Sequence, residues 1–372
     1  MARIVVDLEK LRILECGLGQ FCLELGRELV AQRADQDELI FLTPPGCEGL
    51  VAGASTMPVR RWQKSDYHQH VGPWLAPIVP GPRYDLWHVT NQCSRYGPWN
   101  PRTPVLLTIH DLNFLREKSK HSTGRRLRAM QRRVDRATRL TTISRFVADE
   151  VRQHLDLGGK PIEVVYNGAA TIGADPGDQP AMPPAGPFLF SIGNFSDKKN
   201  FHTLVPLIRR LPEFSLVLAG INDTEYGGYV RRLADRLGVG DRVQTPGAIS
   251  EGERQWYYRN CTGFVFPSLT EGFGLPPIEA MSAGKPVFLS TRTSLPEVGG
   301  EVAFYWDQFS PRAMAQVVRD GLAAASKPGF EARVRARADR FCWKRAAGDY
   351  LRIYREMIGV KHNLRPRQRA AA

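Results

Sequence analysis

Residues 263–286, GFVFPSLTEGFGLPPIEAMSAGKP, decide the fold. Four β-prone residues, Gly263–Phe266, stop at Pro267. A loop over 268–275 follows, holding Glu271, Gly272 and Gly274. Pro276 and Pro277 suit the first turn of a helix, where a missing N–H costs nothing. Gly284 suits its C-terminal end. The segment reads strand, glycine-rich loop, helix. Such a helix start leaves unpaired N–H groups and positive dipole charge at the carboxyl end of a strand, which makes an anion site. Gly274 lets the backbone approach a ligand closely. Glu279 stands about one turn into the helix and leans back towards the loop. Two carboxylates repel a bare phosphate. Glu271 and Glu279 make sense there if the ligand also offers hydroxyls, whose hydrogen bonds carboxylates accept.

Outward from this stretch, short β-branched runs alternate with helical patterns. Strands are expected at 3–7, 38–43, 86–90, 105–110, 140–144 and 162–166, then at 188–192, 216–219, 242–245, 263–266 and 286–290. Helices are expected at 19–33, 122–139, 145–155, 201–211, 225–237, 251–260 and 276–283. This is α/β alternation, and it predicts two Rossmann-like, doubly wound parallel-sheet domains. The break falls at 171–187, a stretch with five prolines and little periodicity. The expected organisation is a domain over 1–170, a linker over 171–187 and a domain over 188–342. A helix within 343–360 is expected to pack back across the domains, ahead of a disordered basic tail over 361–372. Two such domains facing across a cleft would bind ligands at the carboxyl ends of their strands.

The 372 residues carry 51 Lys and Arg against 38 Asp and Glu, a net charge of +13. That favours an anionic partner: nucleotide, nucleic acid or acidic lipid surface. A composition 42% hydrophobic and 24% charged excludes disordered, collagen-like and coiled-coil chains. No run approaches the ~20 apolar residues of a membrane span. The start, MARIVVDLEKL, has too short an apolar run for a signal peptide. Six scattered cysteines form no CxxC pair. A cytoplasmic protein without structural zinc is expected. The stretch 125–139 holds seven arginines and one acid. Leu127, Met130, Val134 and Ala137 give it a core-facing stripe, and its arginines suit either a solvated face or anionic lipid at the inner face of a membrane.

On these motifs the chain resembles the retaining glycosyltransferases of family 4 (glycosyl transferases group 1), of GT-B fold. Glu271-x7-Glu279 within EGFGLPPIEAMSAGKPV resembles that family's signature, and SLPEVGG at 294–300 continues it. SIGNFSDKKN at 191–200, TIHDLNFL at 108–115, TISRFVADEV at 142–151 and VVYNGA at 164–169 resemble its other segments. The resemblance implies that Glu279 holds the ribose hydroxyls of a nucleotide-diphosphate sugar. It implies that Glu271 faces the donor sugar near its reacting carbon. Backbone N–H groups of Phe273, Gly274 and Leu275 would contact sugar or diphosphate, and Lys198 and Lys199 would neutralise the leaving diphosphate. Lys198 stands where the family commonly has arginine, a point charge in place of a bidentate fork. His110 would face the sugar from the first domain, and Gly17 and Gly19 would open the first helix near the diphosphate and acceptor. The implied donor is a hexose nucleotide of the GDP-mannose kind. The implied acceptor is a saccharide or lipid-linked saccharide in bacterial polysaccharide or lipopolysaccharide synthesis. No Asp-x-Asp run marks a divalent-ion site, so transfer without metal or other cofactor is expected, the lysines and the helix start stabilising the departing charge.

Plainer readings compete with these roles. His110 suits an ordinary packed histidine. Gly17-x-Gly19 is no dinucleotide fingerprint, because Cys22 takes the third glycine position and Gly17 lies ten positions after Asp7. A sugar phosphorylase or nucleotide-sugar epimerase would share the fold. Net charge alone allows a nucleic-acid binder, though aromatic and basic residues do not interleave as such proteins require.

Overall fold

A computed structural model describes residues 2–14, 16–34, 37–59, 82–116, 120–173 and 175–364, the side chains of 120–122 and 360–364 excepted. The chain forms two compact units: Met1–Gly168 with Trp343–Ala372, and Ala169–Cys342. In the first, the elements run β1 (Ala2–Asp7), α1 (Gly17–Gln32), β2 (Asp37–Thr43), β3 (Ser55–Pro58), β4 (Leu86–Val89), β5 (Val105–Ile109), α2 (Lys120–Arg136), β6 (Arg139–Thr142), α3 (Arg145–His154) and β7 (Ile162–Val164). In the second they run β8 (Phe188–Ile192), α4 (Leu204–Arg210), β9 (Ser215–Ala219), α5 (Glu225–Arg236), β10 (Val243–Gly247), α6 (Glu251–Asn260), β11 (Gly263–Phe266), α7 (Leu275–Ser282), β12 (Val287–Ser290), α8 (Leu295–Gly299), β13 (Phe304–Trp306), α9 (Pro311–Ala325) and α10 (Phe330–Ala338). The last helix, α11 (Trp343–Leu364), returns to the first unit.

Among the described residues the sheets have seven and six strands, ordered β3-β2-β1-β4-β5-β6-β7 and β10-β9-β8-β11-β12-β13. Every pairing is parallel. Strands covered on both faces need unbroken apolar runs, and β5 (VLLTI), β11 (GFVF) and β12 (VFLS) are buried throughout. Strand order reverses between β1 and β4 in one sheet and between β8 and β11 in the other. Those two switch points are where open parallel sheets bind ligands.

Edge strands β3 and β13 and helices α8 to α10 are additions to the sequence reading. Both strands are short, and β13 has only three residues, too few for a period. The proline-rich stretch expected as a linker belongs to the second unit. The Ile172 N–H donates to Ser282 Oγ at 3.0 Å, and Arg259 donates to the Gly173 carbonyl. On α2, Met130 and Val134 are core, as is Ala137 just past its end, and Arg125, Arg126, Arg128 and Arg132 are exposed. Helix α11 sinks Trp343, Ala347, Tyr350 and Tyr354 into a core with Phe21, Leu25 and Leu29 of α1. His88 on β4 is buried between the Tyr354 hydroxyl, 2.6 Å from Nδ1, and Thr108 Oγ1, 2.7 Å from Nε2. Of the tail expected to be disordered over 361–372, residues 361–364 instead continue α11, and 365–372 lie outside the described residues. No helix among those described is long and apolar enough to cross a membrane.

Candidate functional site

Three loops meet at the carboxyl ends of β8, β11 and β12, beside the second unit's switch point. The first carries Lys198 and Lys199 after β8. Lys199 Nζ lies 2.6 Å from Glu271 Oε1 and 4.8 Å from the centre of the Phe266 ring. The Lys198 side chain is exposed. Its carbonyl accepts the Leu269 N–H at 2.8 Å, tying this loop to the next. Ser268 Oγ is 2.7 Å from Glu271 Oε1 and 3.2 Å from the same Lys198 carbonyl. Glu271 is thus held between a cation and a hydroxyl.

From Glu271 the loop runs into α7. Gly274 caps that helix with φ 114, and prolines occupy its first turn. Pro276 and Pro277 have no N–H, so the amides of Gly274 and Leu275 are the donors at this helix start. The Phe273 ring is buried edge-on against Phe341, centroids 5.5 Å apart. Its carbonyl accepts Ser294 Oγ at 2.7 Å, so Phe273 anchors the loop.

Glu279 has partners that the sequence did not name. It is buried, and both carboxylate oxygens are engaged by the preceding helix. Oε1 accepts Arg254 Nη1 at 2.9 Å, and Oε2 accepts the Tyr258 hydroxyl at 2.8 Å. Ser250 and Glu253 form a capping box that starts α6, and Arg254 and Tyr258 sit four apart on one face of it. Burial pushes the Glu279 carboxyl up, while Arg254 and the Tyr258 hydrogen bond pull it down. Burial and then the charge of Glu279 push the Tyr258 hydroxyl well above its ordinary value, so it stays a donor.

His110, Gly17 and Gly19 belong to the other unit. The His110 backbone N–H donates to Gln92 Oε1 at 2.9 Å, and Nε2 lies 2.8 Å from the Thr90 carbonyl. A carbonyl only accepts, so Nε2 carries the hydrogen and Nδ1 is the acceptor nitrogen. The ring stands edge-on to Phe21, centroids 4.6 Å apart, and burial holds its pKa below the usual histidine range. Gly17 and Gly19 are the first and third residues of α1. A methyl on Gly19 would sit 2.0 Å from the Ile13 carbonyl oxygen, which explains that glycine by packing.

Sequence reasoning missed Asp7, which ends β1 at the first unit's switch point. It is fully buried and accepts from the Glu9 N–H at 2.9 Å and from Ser94 Oγ. Burial, then the nearby Glu9 carboxylate, push its pKa up to about 7. It also missed Arg254 and Tyr258, whose partner is 25 and 21 residues away. Their i, i+4 spacing on a capped helix was the available signal.

The geometry can neutralise a diphosphate at Lys199 and the α7 start, beside a carboxylate for sugar hydroxyls. Comparison with known proteins places the chain among glycosyltransferases. The family profile described as glycosyl transferases group 1 matches residues 178–328, and that described as Glycosyltransferase Family 4 matches 16–171. "Serotype-specific mannosyltransferase WbdA" of Escherichia coli is 29% identical over 236 residues, covering 57% of this chain and 28% of that protein. "O-antigen chain mannosyltransferase B" of Escherichia coli is 30% identical over 170 residues, 44% of each. The chain thus spans less than half the length of these two relatives. A glycosyltransferase structure from Rickettsia africae ESF-5 superposes with a TM-score of 0.73 at 15% identity, covering 96% of this chain and 98% of that one. That likeness, with two parallel-sheet units, shows the GT-B fold.

Proposed function

The chain belongs to the glycosyl transferases of group 1, with a family 4 N-terminal half, and from that premise we propose that it transfers a hexose from a nucleotide-diphosphate sugar with retention of anomeric configuration. The observation that carries the reading is the Lys199–Glu271 pair beside the α7 start. In this reading Lys199 and the Gly274 and Leu275 amides bind the diphosphate and stabilise its growing charge as the glycosidic bond breaks. Glu271, freed from Lys199, accepts hydroxyls of the sugar. Glu279 accepts the ribose hydroxyls through the lone pairs that Arg254 and Tyr258 leave unused. His110 offers its Nδ1 to the donor sugar, and Lys198 adds positive field at the rim of the diphosphate site.

The relatives' names support mannose as the sugar and an O-antigen chain as the product; GDP-mannose as the donor and a lipid-linked saccharide as the acceptor rest on the family resemblance of the motifs. The exposed arginines of α2 suit contact with an anionic membrane presenting that acceptor. The test is transfer by the full chain from GDP-mannose to synthetic lipid-linked oligosaccharides, with the product's anomeric carbon followed by NMR. An α-linked mannoside supports the reading. A β-linked product overturns retention, and GDP release that inorganic phosphate accelerates without any acceptor favours a phosphorylase.

A further inference from the structure

Among the described residues, two non-glycine residues have a left-handed backbone: Asn200, φ 58, and Thr293, φ 54. Asparagine tolerates that region, whereas a β-branched threonine strains against it. Both hold the same loop. Asn200 Nδ2 donates to the Pro267 carbonyl at 3.2 Å, where the loop begins. Thr293 Oγ1 accepts the backbone N–H of Glu271 at 3.0 Å. Its neighbour Ser294 donates Oγ to the Phe273 carbonyl at 2.7 Å and lies 3.1 Å from that of Glu271. The segment is therefore gripped at its start, middle and end by the loops after β8 and β12.

Strain of this kind persists only where the surroundings over-determine it. A turn that merely needed φ 54 would be served by glycine, which adopts it without strain. What threonine adds is a hydroxyl on the amide of Glu271. We infer that Thr293 is a positioning residue: its strained backbone delivers Oγ1 to the Glu271 N–H and fixes that carboxylate's approach to the sugar, with Asn200 bracing the loop's other end. The inference rests on the role proposed for Glu271.

Thr293→Gly removes strain and hydroxyl together, and Thr293→Ser keeps the hydroxyl. With GDP-mannose as donor and GDP release as readout, below every variant's Tm, Thr293→Gly is expected to keep Tm at or above wild type. Its donor KM should stay within about twofold while kcat falls roughly 10- to 100-fold. Thr293→Ser should recover kcat to within about threefold. Hydrogen exchange at the Glu271 amide, which needs no donor, should quicken in Thr293→Gly and not in Thr293→Ser. Wild-type kcat, or unchanged exchange, in Thr293→Gly overturns the inference if Glu271→Gln is inactive in the same assay. A Glu271→Gln that turns over normally overturns instead the role of Glu271.

Discussion

Lys199 Nζ and Glu271 Oε1 stand 2.6 Å apart on loops that follow adjacent strands. Each is the other's charge partner, and the proposed function gives the two different tasks once a donor binds. In the proposed reading the lysine turns to phosphate oxygens, which releases the glutamate to sugar hydroxyls. Lys199→Ala should therefore lower turnover by roughly 100-fold, the usual scale for one preorganised donor to developing charge. Lys198→Ala, whose side chain is exposed, should cost less than about threefold. Steady-state nucleotide diphosphate release checks both. Equal losses would contradict the division of labour.

Arg254 and Tyr258 hold Glu279 in one orientation. Glu279→Gln keeps shape and loses charge, and should weaken GDP binding about tenfold or more, a charged hydrogen bond being worth about 1.5–3 kcal/mol. Tyr258→Phe should weaken it several-fold. Titration calorimetry with GDP measures both, and affinity unchanged in both would remove Glu279 from the ribose site.

Asp7 makes stability fall with rising pH. Its folded pKa of about 7 exceeds the unfolded value, so the native state binds the extra proton between about pH 4 and 7. Stability attributable to it is highest below pH 4, declines through that window and is flat above 7. Asp7→Asn removes the dependence. The variant's advantage should be roughly 2 kcal/mol larger at pH 8 than at pH 5. Urea unfolding at the two pH values tests this, and a constant difference would mean that Asp7 titrates normally.

Tyr354→Phe should cost about 1–3 kcal/mol, because it leaves His88 Nδ1 buried without its partner. Burial has already lowered the His88 pKa to about 3, so the ring stays neutral in the native state and cannot compensate by protonation at pH 7. Denaturant titration gives the loss, and a change under about 0.5 kcal/mol would show that α11 does not depend on this bond.

Much of this molecule was legible in its sequence. The apolar runs that became β8 and β11 coincide with the expected strands, because a parallel strand buried on both faces is a plain apolar block. The loop expected over 268–275 occupies 267–274, and it turns into a helix as expected because Gly274 and the prolines dictate its backbone. What could not be read was contact across sequence distance. Glu279 is bound by Arg254 and Tyr258 of α6, 25 and 21 residues earlier. Thr293 carries no local sign of its strain or of its hold on Glu271, 22 residues earlier. Gly19 was weighed as a ligand contact, and its reason for being glycine is the Ile13 carbonyl. Such pairings are decided by which helix lies beside which loop, and no local pattern records that.

The role of Glu271 is tested most directly by comparing Glu271→Gln with wild type for both GDP-mannose affinity and turnover. Donor affinity within about threefold of wild type with turnover down at least 100-fold is the expected result. A variant that binds poorly yet turns over bound donor at the wild-type rate would place Glu271 in binding alone and contradict the mechanism.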